Sequence, residues 1–406
     1  MDKKNYRRNK DFVIFIVCTV SFYLFYFVTH TLMYKDGGDL IIHTENASHL
    51  SFSELLEFVQ RFTYPLYHIA TAFVNRVFHI SMYDAGVLIV TSFATAAVLV
   101  TYNILKKFLE GKYSLTQIGL LTFVLTIVTA LYWPWYNIYV YTGQSSPNIY
   151  HSPTQTMVKA LAVGICFLFV RYYYDYVNNE EGKKWGSWKK VIILSILLFF
   201  SLLAKPSFLQ GFLPAVVLFL LIELIISKGK LFRYCVQMGV AFVPSVIYLL
   251  YQFLFYYSSE SKYTKGKITI TFFGFIDNSA SNIFISSLLL YAFPLFVVLF
   301  IARRDIFKDK YLWLVIIFAI VSFCESGCLA ESPSNTAGNF SWAKQLSVYV
   351  LWVITTIKFF IYYKEYDSLE IKRKYIVFGT GFCLLAGHVI SGIYYYIYLL
   401  VTTARC

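Results

Sequence analysis

The sequence predicts an all-α polytopic membrane protein with about eleven transmembrane helices, and three observations lead there. Of its 406 residues, 58% are hydrophobic and only 14% are charged, where soluble domains carry about 25% charged residues. Apolar runs approaching the roughly 20 residues needed to cross a bilayer recur from end to end. Basic and polar residues fall between those runs. So few charges cannot cover an aqueous surface. A multidomain soluble enzyme, a disordered chain and a disulfide scaffold are excluded, and so is a nucleic-acid partner, despite a net charge of +13. The expectation is one transmembrane domain over 1–406.

The runs lie near 12–34, 83–104, 117–140, 155–177, 191–204, 206–227, 234–257, 282–302, 311–323, 343–363 and 375–399. Met1 to Lys10 is basic, but the apolar run that follows exceeds a signal-peptide core and precedes no small-residue cleavage site, so it reads as an uncleaved first span. The runs at 191–204 and 311–323 are short and suit re-entrant or broken helices. Lys205-Pro206 divides the fifth run from the sixth, because proline has no N–H for the helix ladder. Most of the 35 Lys and Arg fall on alternate connections: Lys3 to Lys10, Lys106 to Lys112, Lys183 to Lys190, Lys228 to Arg233, Arg303 to Lys310 and Lys364 to Lys374. The positive-inside rule makes those connections cytoplasmic, with the N-terminus inside and the C-terminus outside. Cys18, Cys166, Cys235 and Cys383 fall within spans as small hydrophobes. Cys324 and Cys328 share an outer loop, where a C-x-x-x-C bridge would be strained.

The cytoplasmic connections are short and hold no Gly-rich phosphate loop, so no nucleotide cofactor is expected. The outer insertions, at 35–82, 141–154, 258–281 and 324–342, hold the polar chemistry. In the first, Gly37-Gly38 permits a sharp turn, and Asp39 takes the N-cap position of a helix that sets Asp39 and His43 one turn apart on one face. Ser51-Phe52-Ser53-Glu54 has a capping-box pattern and opens an apolar stripe of Phe52, Leu55, Leu56, Val59 and Phe62. A second stripe follows in Ile69, Phe73, Val77 and Phe78. Both read as amphipathic helices on the membrane surface. His68 ends Tyr64-Pro65-Leu66-Tyr67-His68. Asn148 and His151 lie in the turn before the fourth span, with Lys159 just inside the membrane. Lys205 sits at the outer end of the fifth span, and Glu325, Glu331, Asn339, Trp342 and Lys344 around the loop before the tenth. Ionisable residues within spans are costly, which makes Lys159 and Lys344 functional candidates; the bland alternative is snorkelling to the interface. For Asp39 it is a plain cap, and for His43 an interfacial histidine. Six of the seven histidines, namely His30, His43, His49, His68, His79 and His151, are outside or at the outer interface, as a polar outer cavity would require. No spacing marks a structural metal site.

A first span, an acidic residue early in the first outer loop, interfacial helices and many further spans together resemble the GT-C superfamily of integral membrane glycosyltransferases. Asp39-x-x-x-His43, the segments 64–68 and 146–154, Lys205-Pro206-Ser207, and the loop from Glu325-Ser326-Gly327 to Gly338-Asn339-Phe340-Ser341-Trp342 look like bacterial members. A basic residue would be expected soon after Glu325-Ser326-Gly327, and Cys328-Leu329-Ala330 stand there instead. The resemblance implies a GT-C-like fold and transfer of a sugar from a polyprenyl-phosphate carrier to an extracytoplasmic acceptor, whether glycan, teichoic acid, lipid or protein, in cell-wall or polysaccharide biosynthesis. Displacement at the anomeric carbon needs a carboxylate for the acceptor proton and donors for the departing phosphate. Asp39 is the expected base, with His43 orienting it or donating to phosphate. Lys205 and Lys344 are first choices for the lipid phosphate and His151 and Lys159 second, with Asn148, His68, Glu325 and Asn339 as further substrate contacts. A single carboxylate base implies inversion. Some relatives need a divalent metal, and the sequence does not decide it. The rival classes are a lipid-linked glycan flippase or secondary transporter, which wants midplane charges and internal repeats, and a glycan polymerase or ligase, which wants many arginines in a large outer loop where this chain has only Arg61, Arg76 and Arg405.

Overall fold

A computed structural model of the chain describes residues 3–35, 38–51, 53, 55, 58–59, 62, 64–135, 146–180, 185–257, 267–273, 282–332, 339–366 and 371–402. Those residues form a bundle of apolar helices. The first half runs α1 (Lys3–Lys35), α2 (Asp39–Ser48), α3 (Leu66–Phe78), α4 (Met82–Leu109), α5 (Leu115–Ile127), α6 (Pro153–Glu180) and α7 (Trp188–Ala204). It continues through α8 (Ser207–Ile226), α9 (Phe232–Tyr257), β1 (Lys267–Ile270), α10 (Ile283–Phe296), α11 (Lys310–Cys328), β2 (Leu329–Ser332), α12 (Trp342–Glu365) and α13 (Ile371–Val401). Among the described residues, nine helices are long and apolar enough to cross a membrane. The fold is thus all-α and polytopic.

The other two of the eleven apolar runs form shorter helices. α7 has 17 residues, as its short run suggested. The run at 311–323 instead extends to the 19 residues of α11: the Asp309 carboxylate caps the Tyr311 and Leu312 amides at its start, and the helix continues five residues beyond the run to Cys328. The run at 117–140 yields only the 13 residues of α5. Its start is fixed by a reciprocal capping box between Ser114 and Gln117. Its end is fixed from outside: the Asn148 amide donates to the Leu125 and Val128 carbonyls at 3.0 and 2.7 Å, and the Tyr150 hydroxyl to that of Thr126. The last carbonyls of a helix lack partners of their own, and here a returning chain supplies them. Gly392 of α13 lets the same corner close, since a Cβ there would lie 1.9 Å from the Ile127 carbonyl oxygen.

α12 is the axis of the bundle: 83% of its most apolar stretch is buried, against 28% for the peripheral α1. Trp352 stacks on Phe293 of α10 at 5.0 Å and meets His388 of α13 edge-on. α1 packs on α4, α4 on α6, α6 on α7, α7 on α9, and α8 and α12 on α11. Because successive long helices alternate in direction, the connections sort to two ends. One end is basic and several of its lysines are paired: Lys310 with Glu223 at 2.5 Å, Lys358 with Asp305 and Asp309 at 2.9 and 2.6 Å, Lys190 with Asp175 at 2.6 Å, and Lys112 with Glu365. Tyr173 also donates to Glu223. The other end carries α2, α3, the 146–152 turn, Lys205 and the antiparallel pair β1–β2, in the register Ile268 with Glu331 and Thr269 with Ala330. Cys324 and Cys328 stand one turn apart at the end of α11 and both are free thiols.

Candidate functional site

α2 begins one residue earlier than its sequence suggests. Gly38 is the N-cap, its carbonyl accepting from the Ile41 and Ile42 amides. Asp39 is therefore the first helical residue, where a carboxylate favours the positive end of the helix dipole. Leu40, Thr44 and Ala47 form the buried face of α2. Thr44 anchors it through a 2.7 Å hydrogen bond with the Tyr67 hydroxyl of α3. The hydroxyl pair fits only because Gly86 of α4 lies beneath: a Cβ there would stand 2.7 Å from the Tyr67 oxygen and 2.9 Å from that of Thr44. So fixed, α2 turns Asp39 and His43 along a neighbouring stripe. His43 Nδ1 meets His68 Nε2 of α3 at 3.1 Å. Phe58 and Phe62 enclose His68, their rings centred 5.7 and 5.0 Å from it. Leu50, Leu55, Ile69 and Ala72 complete that small apolar cluster. Phe73, Val77 and Phe78 of α3 point outward and are exposed, the opposite face to buried Tyr67, His68, Thr71 and Ala72. Phe52, Glu54 and Leu56 of the expected first interfacial helix lie outside the described residues.

The second half of the site comes from α6, the α7–α8 junction and α12. The Lys205 ammonium donates to the Ser152 hydroxyl at 3.3 Å and sits 3.8 Å from the centre of the Trp342 ring. His151 packs on the same indole at 5.9 Å. Gln155 locks the three elements together: its amide nitrogen donates to the Trp342 carbonyl at 2.9 Å, while its oxygen accepts from Ser207 at 3.4 Å. Pro206 stops α7 and starts α8, so Lys205 adopts an extended backbone between the two helices.

Electrostatics ties the halves into one site. Burial pushes Lys205 down to about 7 from an ordinary 10.5, against the pull of the Asp39 carboxylate. Burial lowers His151 to about 4, with Asp39 acting to raise it and Lys205 to lower it further. His43 is held near 3 by burial, by His68 and by Lys205, and burial takes His68 to about 4. Asp39, His151, Lys205 and His43 thus act on one another electrostatically, and His43 in turn contacts His68; the three imidazoles are neutral at pH 7. Such a set of one carboxylate and four bases can accept a proton at one point and bind an anion at another. It does not fit a hard divalent cation, which takes oxygen ligands. Among the described residues, no three His, Cys, Asp or Glu converge as metal ligands.

The remaining candidates do not join them. The Lys159 ammonium donates to the Pro147 carbonyl and the Asn148 side-chain oxygen and lies 3.5 Å from the Tyr349 ring centre. Lys159 and Asn148 thus fasten the buried turn that ends α5. Lys344 is 4% exposed but falls about 200° around α12 from Trp342 at 3.6 residues per turn, on another face. Glu325 sits half-buried at the end of α11, with one carboxylate oxygen buried and unbonded. Asn339 is exposed in the turn before α12. Sequence reasoning passed over Gln155 and Ser152, whose roles depend on partners far along the chain, and over the Thr44–Tyr67 anchor.

Sequence comparison finds no family profile and no curated protein that matches the chain. Structural comparison finds the oligosaccharyltransferase of Archaeoglobus fulgidus. Its apo form superposes with a TM-score of 0.51 at 11% identity over 97% of this chain and 56% of the other. The form of that enzyme tethered to an acceptor peptide gives 0.49 at 11% identity over 98% of this chain and 56% of the other. The likeness is one of fold: the helices follow the arrangement of that oligosaccharyltransferase. The chain spans just over half the length of that protein.

Proposed function

We propose that the chain is a membrane glycosyltransferase of GT-C type. It moves a sugar from a polyprenyl-phosphate carrier to a hydroxyl-bearing acceptor on the extracytoplasmic side, with inversion at the anomeric carbon. One observation carries the reading. At the basic end the buried lysines Lys310 and Lys358 are paired with carboxylates, whereas at the other end Lys205 is buried against an indole and a hydroxyl within reach of a single carboxylate's field. A buried cation is costly without an anion, and a lipid phosphate supplies one. The positive-inside rule assigns the paired basic end to the cytoplasm, which turns the Asp39–Lys205 end and the chain's C-terminus outward.

In this reading Asp39 takes the proton of the acceptor hydroxyl as its oxygen bonds to the sugar C1. The bond from C1 to the phosphate oxygen breaks, and its electron pair leaves on the polyprenyl phosphate. Lys205 and His151, steadied by Trp342 and Ser152, stabilise that charge. Lysine serves here as a point charge rather than a bidentate fork. One carboxylate acting from one side implies a single displacement, hence inversion. The exposed apolar face of α3 suits the lipid interface through which such a carrier would arrive. The test is transfer of labelled sugar from a panel of polyprenyl-phosphate donors by purified protein in liposomes. Transfer or slow donor hydrolysis supports the reading. Movement of the carrier between leaflets without turnover overturns it in favour of a flippase.

A further inference from the structure

α1 and α5 rise side by side from the basic end and leave a groove of about 850 Å³ between them. Its walls are Phe12, Ile16 and Val20 of α1 and Thr116, Leu120 and Phe123 of α5, residues three or four apart on one face of each helix. The floor is closed where bare Gly119 meets α1, since a Cβ there would stand 3.0 Å from both Val13 and Val17. From Phe12 to Val20 the wall rises about 12 Å at 1.5 Å per residue. The hydrocarbon of one leaflet is about 15 Å deep, half of a core about 30 Å thick. The groove therefore runs through one leaflet and no further. Its mouth, at the connection from α4 to α5, is polar, with Glu110, Gly111 and Ser114. Gly111 turns there with a φ of +89°, and a Cβ on it would meet nothing within 4 Å, so the mouth is open. It is also preformed: the Ser114–Gln117 capping box and a 2.8 Å hydrogen bond from the Tyr113 hydroxyl to the Phe360 carbonyl hold the connection. Charge at this end favours an anion. The turns of α1 before Phe12 carry Lys3, Lys4, Arg7, Arg8 and Lys10, with Asp11 the one acid among them, and the Glu110 carboxylate is drawn to Lys106 at 3.6 Å.

We propose that this groove binds one anionic phospholipid from the leaflet at the basic end. An acyl chain lies between α1 and α5, and the phosphate headgroup sits at the mouth, beside the basic start of α1. A cluster of basic residues next to a membrane span attracts anionic headgroups, and an apolar channel of one leaflet's depth selects a chain that ends there. The lipid thereby ties the peripheral α1 to α5, whose 13 residues leave α1 little helix to pack on. The groove lies at the opposite end of the bundle from Asp39 and Lys205, so the inference does not depend on the transferase reading.

The experiment is native mass spectrometry of the full-length protein released from nanodiscs of equal phosphatidylglycerol and phosphatidylcholine, beside Leu120→Trp and Arg7→Gln/Arg8→Gln. Leu120 is 63% exposed, so an indole in its place fills the groove without entering the core. The wild type should retain one phosphatidylglycerol and Leu120→Trp should lose it. The double variant should still hold a lipid, with its preference for phosphatidylglycerol cut about fivefold per charge removed. Added phosphatidylglycerol should also raise the Tm of the wild type in detergent and leave that of Leu120→Trp unchanged. Equal retention by the wild type and Leu120→Trp overturns the proposal, as does phosphatidylcholine held as tightly as phosphatidylglycerol or an unchanged preference in the double variant. Displacement of the phospholipid by a polyprenyl phosphate overturns it in favour of a sugar carrier in the groove. A dimer that Leu120→Trp dissociates overturns it in favour of a second copy of the chain.

Discussion

Replacing Lys205 with methionine separates what the residue costs the fold from what it does for the site. The folded chain holds this lysine near 7, where the free side chain has 10.5. At about 1.4 kcal/mol per pH unit, keeping it in place at neutral pH costs on the order of 5 kcal/mol. That cost is already net of the stacking of the ammonium on Trp342 at 3.8 Å and of the Ser152 hydrogen bond. Lys205→Met keeps the length and removes the charge, so it should stabilise the protein by up to about 5 kcal/mol. Thermal unfolding in detergent should register this as a rise of a few degrees in Tm. The pH dependence carries the sign. Above about 10.5 neither state binds the proton and the lysine costs nothing. As pH falls toward 7 the unfolded chain takes up a proton that the folded chain refuses, and stability is lost. The advantage of the variant should thus be full at pH 7 and nearly gone by pH 10. The same variant should bind an anionic polyprenyl phosphate at least tenfold more weakly, since a hydrogen bond to a charged group is worth about 1.5–3 kcal/mol. A less stable variant, an advantage independent of pH, or unchanged lipid affinity would refute the reasoning.

Three further outcomes follow from the same geometry. Phosphate binding should favour the charged form of Lys205 and drive proton uptake near pH 8, read by titration calorimetry in two buffers of different ionisation enthalpy; equal heats in both buffers would contradict it. His43, His68 and His151, held near 3, 4 and 4, bind protons more readily unfolded than folded. Stability should therefore fall as pH drops below about 6.5, each histidine adding up to about 1.4 kcal/mol per unit, and His68→Gln should flatten the slope of Tm against pH. Gly392→Ala would drive a methyl into the Ile127 carbonyl, and unfolding should show a loss of about 1–3 kcal/mol, with donor binding little changed because the contact lies away from Lys205.

Much of the fold was legible because a bilayer imposes a simple rule of length and polarity. The apolar runs place the helices, and alternation of basic connections sorts the two ends. α5 escaped that rule because its end is set by Asn148 and Tyr150 from a turn some twenty residues on, and hydropathy carries no trace of such a partner. The site was half legible. Asp39 and His43 are related by helical spacing and Lys205 is marked out by Pro206, so local pattern suffices for them. His151 joins through the same kind of turn chemistry. Lys159, Lys344 and Lys205 look alike in sequence, each a lone cation near an outer helix end. Only packing separates them: one fastens a turn, one faces another side of α12, and one rests on Trp342 within the field of Asp39.

The most direct measurement compares sugar transfer by the wild-type protein and by Asp39→Asn in liposomes, using labelled polyprenyl-phosphate sugars. The amide keeps the size of the carboxylate and its place at the start of α2 but cannot take a proton. A loss of about a hundredfold or more in kcat, with donor binding retained, is the result expected of the base. Equal turnover by both proteins would contradict that role and move the proton acceptor elsewhere in the first outer loop.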